Sequence, residues 1–222
     1  MSRVLLIGQE RAGIAEALRA RGLDVRQADR FAAGSDHLVT VAPRIELEPL
    51  AELSAEVWLE RFGRWVEEPF SAVQEWLRDV LARGAGGRWV AVTTNLGTQP
   101  FPGAGAVGAF AAVLHTLVKV AALEYGERGV RANAVALGFG AGEATGWVDA
   151  ERALSDTPAA RLARPDDIAG AVAWLLSPDA EHVNGEVLRV DGGYTITRGA
   201  AAAPSDEAEE WLLEEEWRGI AR

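Results

Sequence analysis

The sequence predicts a doubly wound α/β fold, a parallel sheet of about six strands with helices on both faces. Three stretches predict it. Residues 4–7 (VLLI) form a short apolar run closed by Gly8, and helical spacing follows through Ile14, Ala17 and Leu18, which reads as strand, turn and helix. Residues 87–138 read as strand, loop, long helix and strand. Residues 183–193 (VNGEVLRVDGG) add one more strand.

Within that frame the elements follow in order. The turn after the first strand runs from Gly8 through Gln9, Glu10, Arg11 and Ala12 to Gly13, Ile14 and Ala15, and helical spacing covers residues 12–21. Glycines at such a turn let the backbone bend tightly and let a phosphate approach main-chain N–H groups. Residues 23–28 form a second strand ending at Asp29, a place where an acid can bond a ribose. The third strand, residues 38–42, starts after only the eight residues 30–37. Such a segment spans at most roughly 26 Å, too short for a helical crossover but long enough to return beside the far edge of the first strand. No helix is therefore expected between the second and third strands.

Residues 54–83 carry a broad apolar stripe at helical spacing, including Trp58, Phe62, Trp65, Phe70 and Trp76, with Pro69 expected to kink it. The tryptophans can face the sheet or a protein partner. Residues 104–125 form a long apolar helix, and an apolar helix through Val172, Trp174 and Leu175 precedes the last strand.

Residues 1–198 are expected to form one domain. Residues 199–203 are glycine and alanine, a linker, and residues 205–222 read as an acidic amphipathic helix with Trp211 and Trp217 on its apolar strip. The formal net charge of −11 argues against a nucleic-acid partner. The absence of cysteine excludes disulfides, thiolate metal sites and cysteine nucleophiles. The opening MSRVLLIGQE is too briefly apolar for a signal peptide or a membrane span, so no membrane partner and a cytoplasmic location are the expectations.

The segment from Val92, Thr93 and Thr94 through the long helix to Val130, Arg131, Ala132, Asn133, Ala134 and Val135 resembles the catalytic centre of the short-chain dehydrogenase/reductase family. There an I-S-S strand end, a Y-x-x-x-K helix and an R-V-N-A-V-x-P-G strand follow one another. The resemblance covers roughly residues 3–195 and implies a Rossmann-like fold, an NAD or NADP cofactor and a tetrad of asparagine, serine, tyrosine and lysine; since the family normally places a helix, a strand and another helix where this chain has residues 30–37, it also implies that one whole strand and helix unit is missing after the second strand. Counting from either end places the tyrosine at Val107 and the lysine at Ala111, neither of which can donate, accept or carry charge. Thr94 falls at the serine position and Trp65 at the asparagine position. After Gly138 the family's P-G-x-x-x-T is reduced to glycines and a displaced Thr145.

Lys119 is the only lysine, and Tyr125 and Tyr194 are the only tyrosines, so no Y-x-x-x-K exists in any register. His115 and Lys119 form an i, i+4 pair beginning roughly 12 Å along the helix from Val107. They are expected to make a polar stripe on a solvent or interface face, with a displaced acid/base pair as the alternative.

The expected function is that of a non-catalytic member of this fold, a structural or regulatory subunit. It would assemble with itself or with an active relative through residues 54–83 and 104–125. An NAD(P)-dependent oxidoreductase with a site rebuilt from Thr94, His115 or Lys119 is the alternative, and a small-molecule sensor is a third. No cofactor is expected; NAD or NADP, if bound, would be held by Gly8, Gly13, Ile14 and Asp29. No metal site is expected.

Overall fold

A computed structural model describes residues 2–8, 13–138 and 156–200. Strand β1 is Arg3–Gly8, helix α1 is Ile14–Ala20, β2 is Asp24–Ala28 and β3 is His37–Val41. Helices α2 (Ala55–Phe62) and α3 (Glu68–Arg83) follow, then β4 (Gly87–Thr94), α4 (Gly105–Tyr125) and β5 (Val130–Leu137). The described chain closes with α5 (Pro165–Leu176), β6 (Val187–Val190) and α6 (Tyr194–Ala200). The six strands form one all-parallel sheet in the order β2-β1-β3-β4-β5-β6.

The sheet bears out the expected deletion. β3 pairs directly with β1, Val4 opposite His37 and Gly8 opposite Val41, so the short link carries the chain across β1 without a helix. β2 is left as an edge strand, and Asp24, Arg26 and Gln27 on it are exposed. The inner strands are apolar throughout because helices cover both faces. On one face Ile14 and Leu18 of α1 join Val172 and Leu175 of α5 over Val4, Leu6, Val39, Val90 and Val135. On the other, Trp76 and Val80 of α3 and Val118 of α4 cover Leu5, Leu38, Trp89 and Ala132.

A third apolar cluster lies at the C-terminal ends of β3 and β4. Ala42, Ile45, Trp65, Leu96, Val107 and Phe110 belong to it. Trp58 and Phe62 of α2 meet the Phe110 ring edge-on, at centroid distances of 4.7 and 5.7 Å.

The irregularity expected at Pro69 takes the form of a π turn just before it. Proline has no N–H to give to the Trp65 carbonyl, and the ladder widens into a π turn at Gly63–Glu67, where the Glu68 N–H bonds the Gly63 carbonyl. Residues 199 and 200, read as linker, belong to α6. The acidic segment 205–222 and most of the turn at 9–12 lie outside the described residues. The tryptophans divide: Trp65, Trp76 and Trp89 are buried, whereas Trp174 is exposed.

Gly8 sits at φ +117°, and a Cβ built there would lie 2.1 Å from the Val41 carbonyl oxygen. Gly22, at φ +82°, has open space where its Cβ would go. Gly22→Ala is therefore expected to cost only the left-handed backbone penalty, about 1–2 kcal/mol. Gly8→Ala should cost clearly more, because β1 and β3 must also separate. Urea unfolding of the two variants checks the ranking, and equal losses would refute it.

Candidate active site

Successive residues of a strand point to opposite faces, so the two threonines ending β4 diverge. Thr93 shares the face of Trp89 and Ala91, towards α4, while Thr94 shares that of Val90 and Val92. The Thr94 hydroxyl is engaged locally: it donates to the Leu137 carbonyl at 3.5 Å and accepts the Leu96 N–H at 3.4 Å. It caps the turn Asn95–Gly97 and makes no bond to α4.

Val107, Ala111 and His115 recur at four-residue steps and share one face of α4, and all three are buried. His115 is 5% exposed, and its Nε2 lies 2.8 Å from the Thr93 hydroxyl. Its Nδ1 finds no partner among the described residues. The ring is pressed against Gly97, where a Cβ would come within 2.7 Å of Cε1. Burial, with a lesser contribution from the nearby Lys119 charge, pushes the His115 pKa down to about 4, so the imidazole is neutral at pH 7. Lys119, one turn further along, is exposed.

These positions correct the expected polar stripe. His115 belongs to the interior and Lys119 to the surface, because four residues along a helix of 3.6 residues per turn leave a pair in register but not at equal depth. The pairing of His115 is with Thr93, which the sequence reading did not single out; strand alternation was the signal that could have found it.

Trp65, in the π turn, and Val107, on α4, meet in the apolar cluster at the strand ends, and both are 1% exposed. Neither of these side chains can exchange a proton.

The nearest buried polar set is different in kind. The Asn95 amide donates to the Thr195 hydroxyl at 3.1 Å, and the Asp191 carboxylate accepts the N–H groups of Gly193 and Thr195 at 3.0 Å each. Burial alone raises the Asp191 pKa, but hydrogen bonds from Thr195, Gly193 and Asn95 outweigh it and hold the carboxyl below its ordinary value. This set ties the loop after β4 to α6. It is fully occupied in doing so.

Of the residues expected at a nucleotide, Gly8 ends β1 and Gly13, at φ +89°, opens α1. Ile14 is buried beneath α1 and Asp29 is exposed just past β2. Gly8, Gly13 and Asp29 gather at the C-terminal ends of β1 and β2, where folds of this class bind ligands. Thr145 lies outside the described residues. Among the described residues no group of three metal-ligating side chains occurs.

Comparison with known proteins agrees with this frame. A family described as enoyl-(acyl carrier protein) reductase matches residues 25–195. The galactitol 2-dehydrogenase (L-tagatose-forming) of Cereibacter sphaeroides is 30% identical over 223 residues, covering 88% of this chain and 86% of that protein. The vibriobactin-specific 2,3-dihydro-2,3-dihydroxybenzoate dehydrogenase of Vibrio cholerae is 32% identical over 195 residues, covering 82% and 72%. A solved structure named as a 2-deoxy-D-gluconate 3-dehydrogenase from Agrobacterium tumefaciens, with bound NADP, superposes with a TM-score of 0.78 at 25% identity. It covers 88% of this chain and 96% of its own.

The buried histidine makes a testable demand on stability. A folded pKa of about 4 against an unfolded 6.5 means that the unfolded chain binds more protons between these values. Stability is therefore complete above pH 6.5 and falls as pH drops towards 4, by roughly 3 kcal/mol at most from this group. His37, held low by burial and by Arg88, acts in the same direction. The depressed carboxylates Asp36, Asp167 and Asp191 give way at lower pH, below the ordinary aspartate range. His115→Gln should flatten the slope of unfolding free energy in the pH 4 to 6.5 window by up to one proton, about 1.4 kcal/mol per pH unit. Unfolding titrations that show an unchanged slope would refute the assignment.

Proposed function

The chain belongs to the short-chain dehydrogenase/reductase family, and from that premise we propose that it is a non-catalytic member, a structural or regulatory subunit built on the family's fold. One observation carries this reading. Trp65 and Val107, which fall at the family's asparagine and tyrosine positions, pack together as core, and Ala111, at the lysine position, is fully buried. A proton relay needs groups that exchange protons within hydrogen-bond reach of the substrate. Thr94 keeps a hydroxyl but spends it on Leu137 and Leu96.

The outer face of α4 supports the assembly part of the reading. Val113, Val120 and Leu123 are exposed on it, Leu123 at 84%, and Phe70 of α3 is exposed as well. An apolar face of this kind is expected to meet a second copy or a related chain.

The comparisons favour a second reading, an NAD(P)-dependent oxidoreductase. The relatives above are dehydrogenases by name, and the solved one carries NADP, so the expectation of no cofactor gains no support from them. In this reading Gly8, Gly13 and Asp29 hold the dinucleotide, which supplies or accepts the hydride. His115, neutral and bonded to Thr93, is then the one buried group placed to move a proton on the helix face the family uses.

Titration with NADPH and NADH, followed by tryptophan fluorescence and calorimetry, and a carbonyl panel separate the readings. The first expects no turnover, and it expects Val107→Tyr with Ala111→Lys to cost about 1–3 kcal/mol from overpacking alone, with burial of the lysine charge at the fully buried position 111 adding to it, without creating activity. The second expects turnover that falls in a His115→Ala, Lys119→Ala variant; turnover of that kind overturns the first. Light scattering should show an oligomer that Val113→Glu with Leu123→Glu dissociates, and a monomeric native protein would count against the subunit role.

A further inference from the structure

We propose that residues 43–53 form an ion-latched strap, which seals the apolar cluster at the strand ends and opens as a local unit while the sheet stays folded. After β3 the chain joins no strand ladder until α2 begins. Ile45, 4% exposed, and Leu47 turn inward onto the cluster that holds Trp65 and Val107. Glu46 and Glu48 turn towards the arginines of the helical region.

The latch is built from these carboxylates. Arg61, whose side chain is only 12% exposed, reaches Glu46 at 3.1 Å and Glu48 at 2.9 Å. Arg64 reaches Glu46 at 3.3 Å and Glu60 at 3.4 Å. The Glu48 N–H bonds the Gly103 carbonyl at 2.8 Å, and the Leu53 N–H closes a turn onto Pro49. The strap thus lies across the start of α4, where Leu50 comes within 3.3 Å of a Cβ built on Gly105.

Segments held by side-chain pairs instead of a strand ladder open at lower free energy than the sheet. Removing one side of a partly buried ion pair leaves the other side's charge without compensation. Opening uncovers Phe62, Trp65, Val107 and Phe110, an aromatic surface suited to an apolar ligand. The inference rests on the packing of this region and holds whether or not the protein turns over substrate.

Hydrogen exchange on the full chain tests it, with 8-anilinonaphthalene-1-sulfonate as the apolar probe. In Glu46→Gln with Glu48→Gln, exchange of strap amides, Glu48 among them, should rise tenfold or more while β4 and β5 amides keep their rates. Probe fluorescence should rise in parallel. Arg61→Met, which keeps an apolar stem but loses the charge, should act in the same direction. In the native protein 1 M sodium chloride should do so more weakly, since partly buried pairs are incompletely screened. Strap and sheet amides accelerating together, or no change in strap exchange in any of these conditions, would overturn the proposal.

Discussion

The eight residues between β2 and β3 are too few for a helical crossover, and much of the architecture follows from that shortness. To run parallel, the chain must come back along the sheet and pass β1, which places β3 on the far side of β1 and leaves β2 as the edge. An open edge invites pairing with other chains. Asp24, Arg26 and Gln27 stand exposed on this one, and charges there discourage such pairing. The same ordering brings the C-terminal ends of β1 and β3 so close that only glycine fits opposite the Val41 carbonyl. Gly8 is thus fixed by the sheet itself, whatever else it serves.

Burial on both faces then decides which polar groups survive in the interior. Each must find a partner or stay neutral. His37 accepts the Arg88 N–H, the Trp89 indole donates to Thr40, and His115 pairs with Thr93, so the three buried sites share one solution. Asn133 likewise donates to the Val183 carbonyl and accepts the Glu186 N–H, stitching β5 to the approach of β6. These bonds explain why polar residues stand inside otherwise apolar strands without invoking catalysis.

The sequence made the strands legible because buried parallel strands are short apolar runs with turn residues at their ends, and it made the deletion legible through the shortness of residues 30–37 set against the family pattern. Helices were legible through period. Depth was not: residues 115 and 119 share a helical register, yet one is core and the other surface, and only the packing of α4 on β4 separates them. The partner of His115 was hidden for the same reason, since two adjacent threonines are equivalent until the strand's facing is known. Pro69 announced an irregularity but not its form, because whether the ladder bends or widens depends on what Trp65 packs against. Residues 43–53 carried no reading of their own, since the alternation of Ile45 and Leu47 with Glu46 and Glu48 ends at Pro49 and is too brief to mark an element.

A site that performs proton transfer keeps polar groups partly unpaired and poised, which costs stability. In the proposed non-catalytic reading the family positions hold Trp65, Val107 and Ala111, and each of these residues is part of the core. Such replacements remove the need to satisfy buried donors and acceptors, and they add apolar contact between α4 and the π turn. The gain is local, whereas the chemistry lost depends on all the groups acting together. The dinucleotide end follows separate logic, because phosphate and ribose contacts come from β1, α1 and β2 and do not require the groups at the other end. Nucleotide binding and hydride chemistry are therefore separable properties of this fold. In the proposed subunit reading, a chain packed as this one is can keep the first while its strand ends hold helices α2, α3 and α4 in place for assembly.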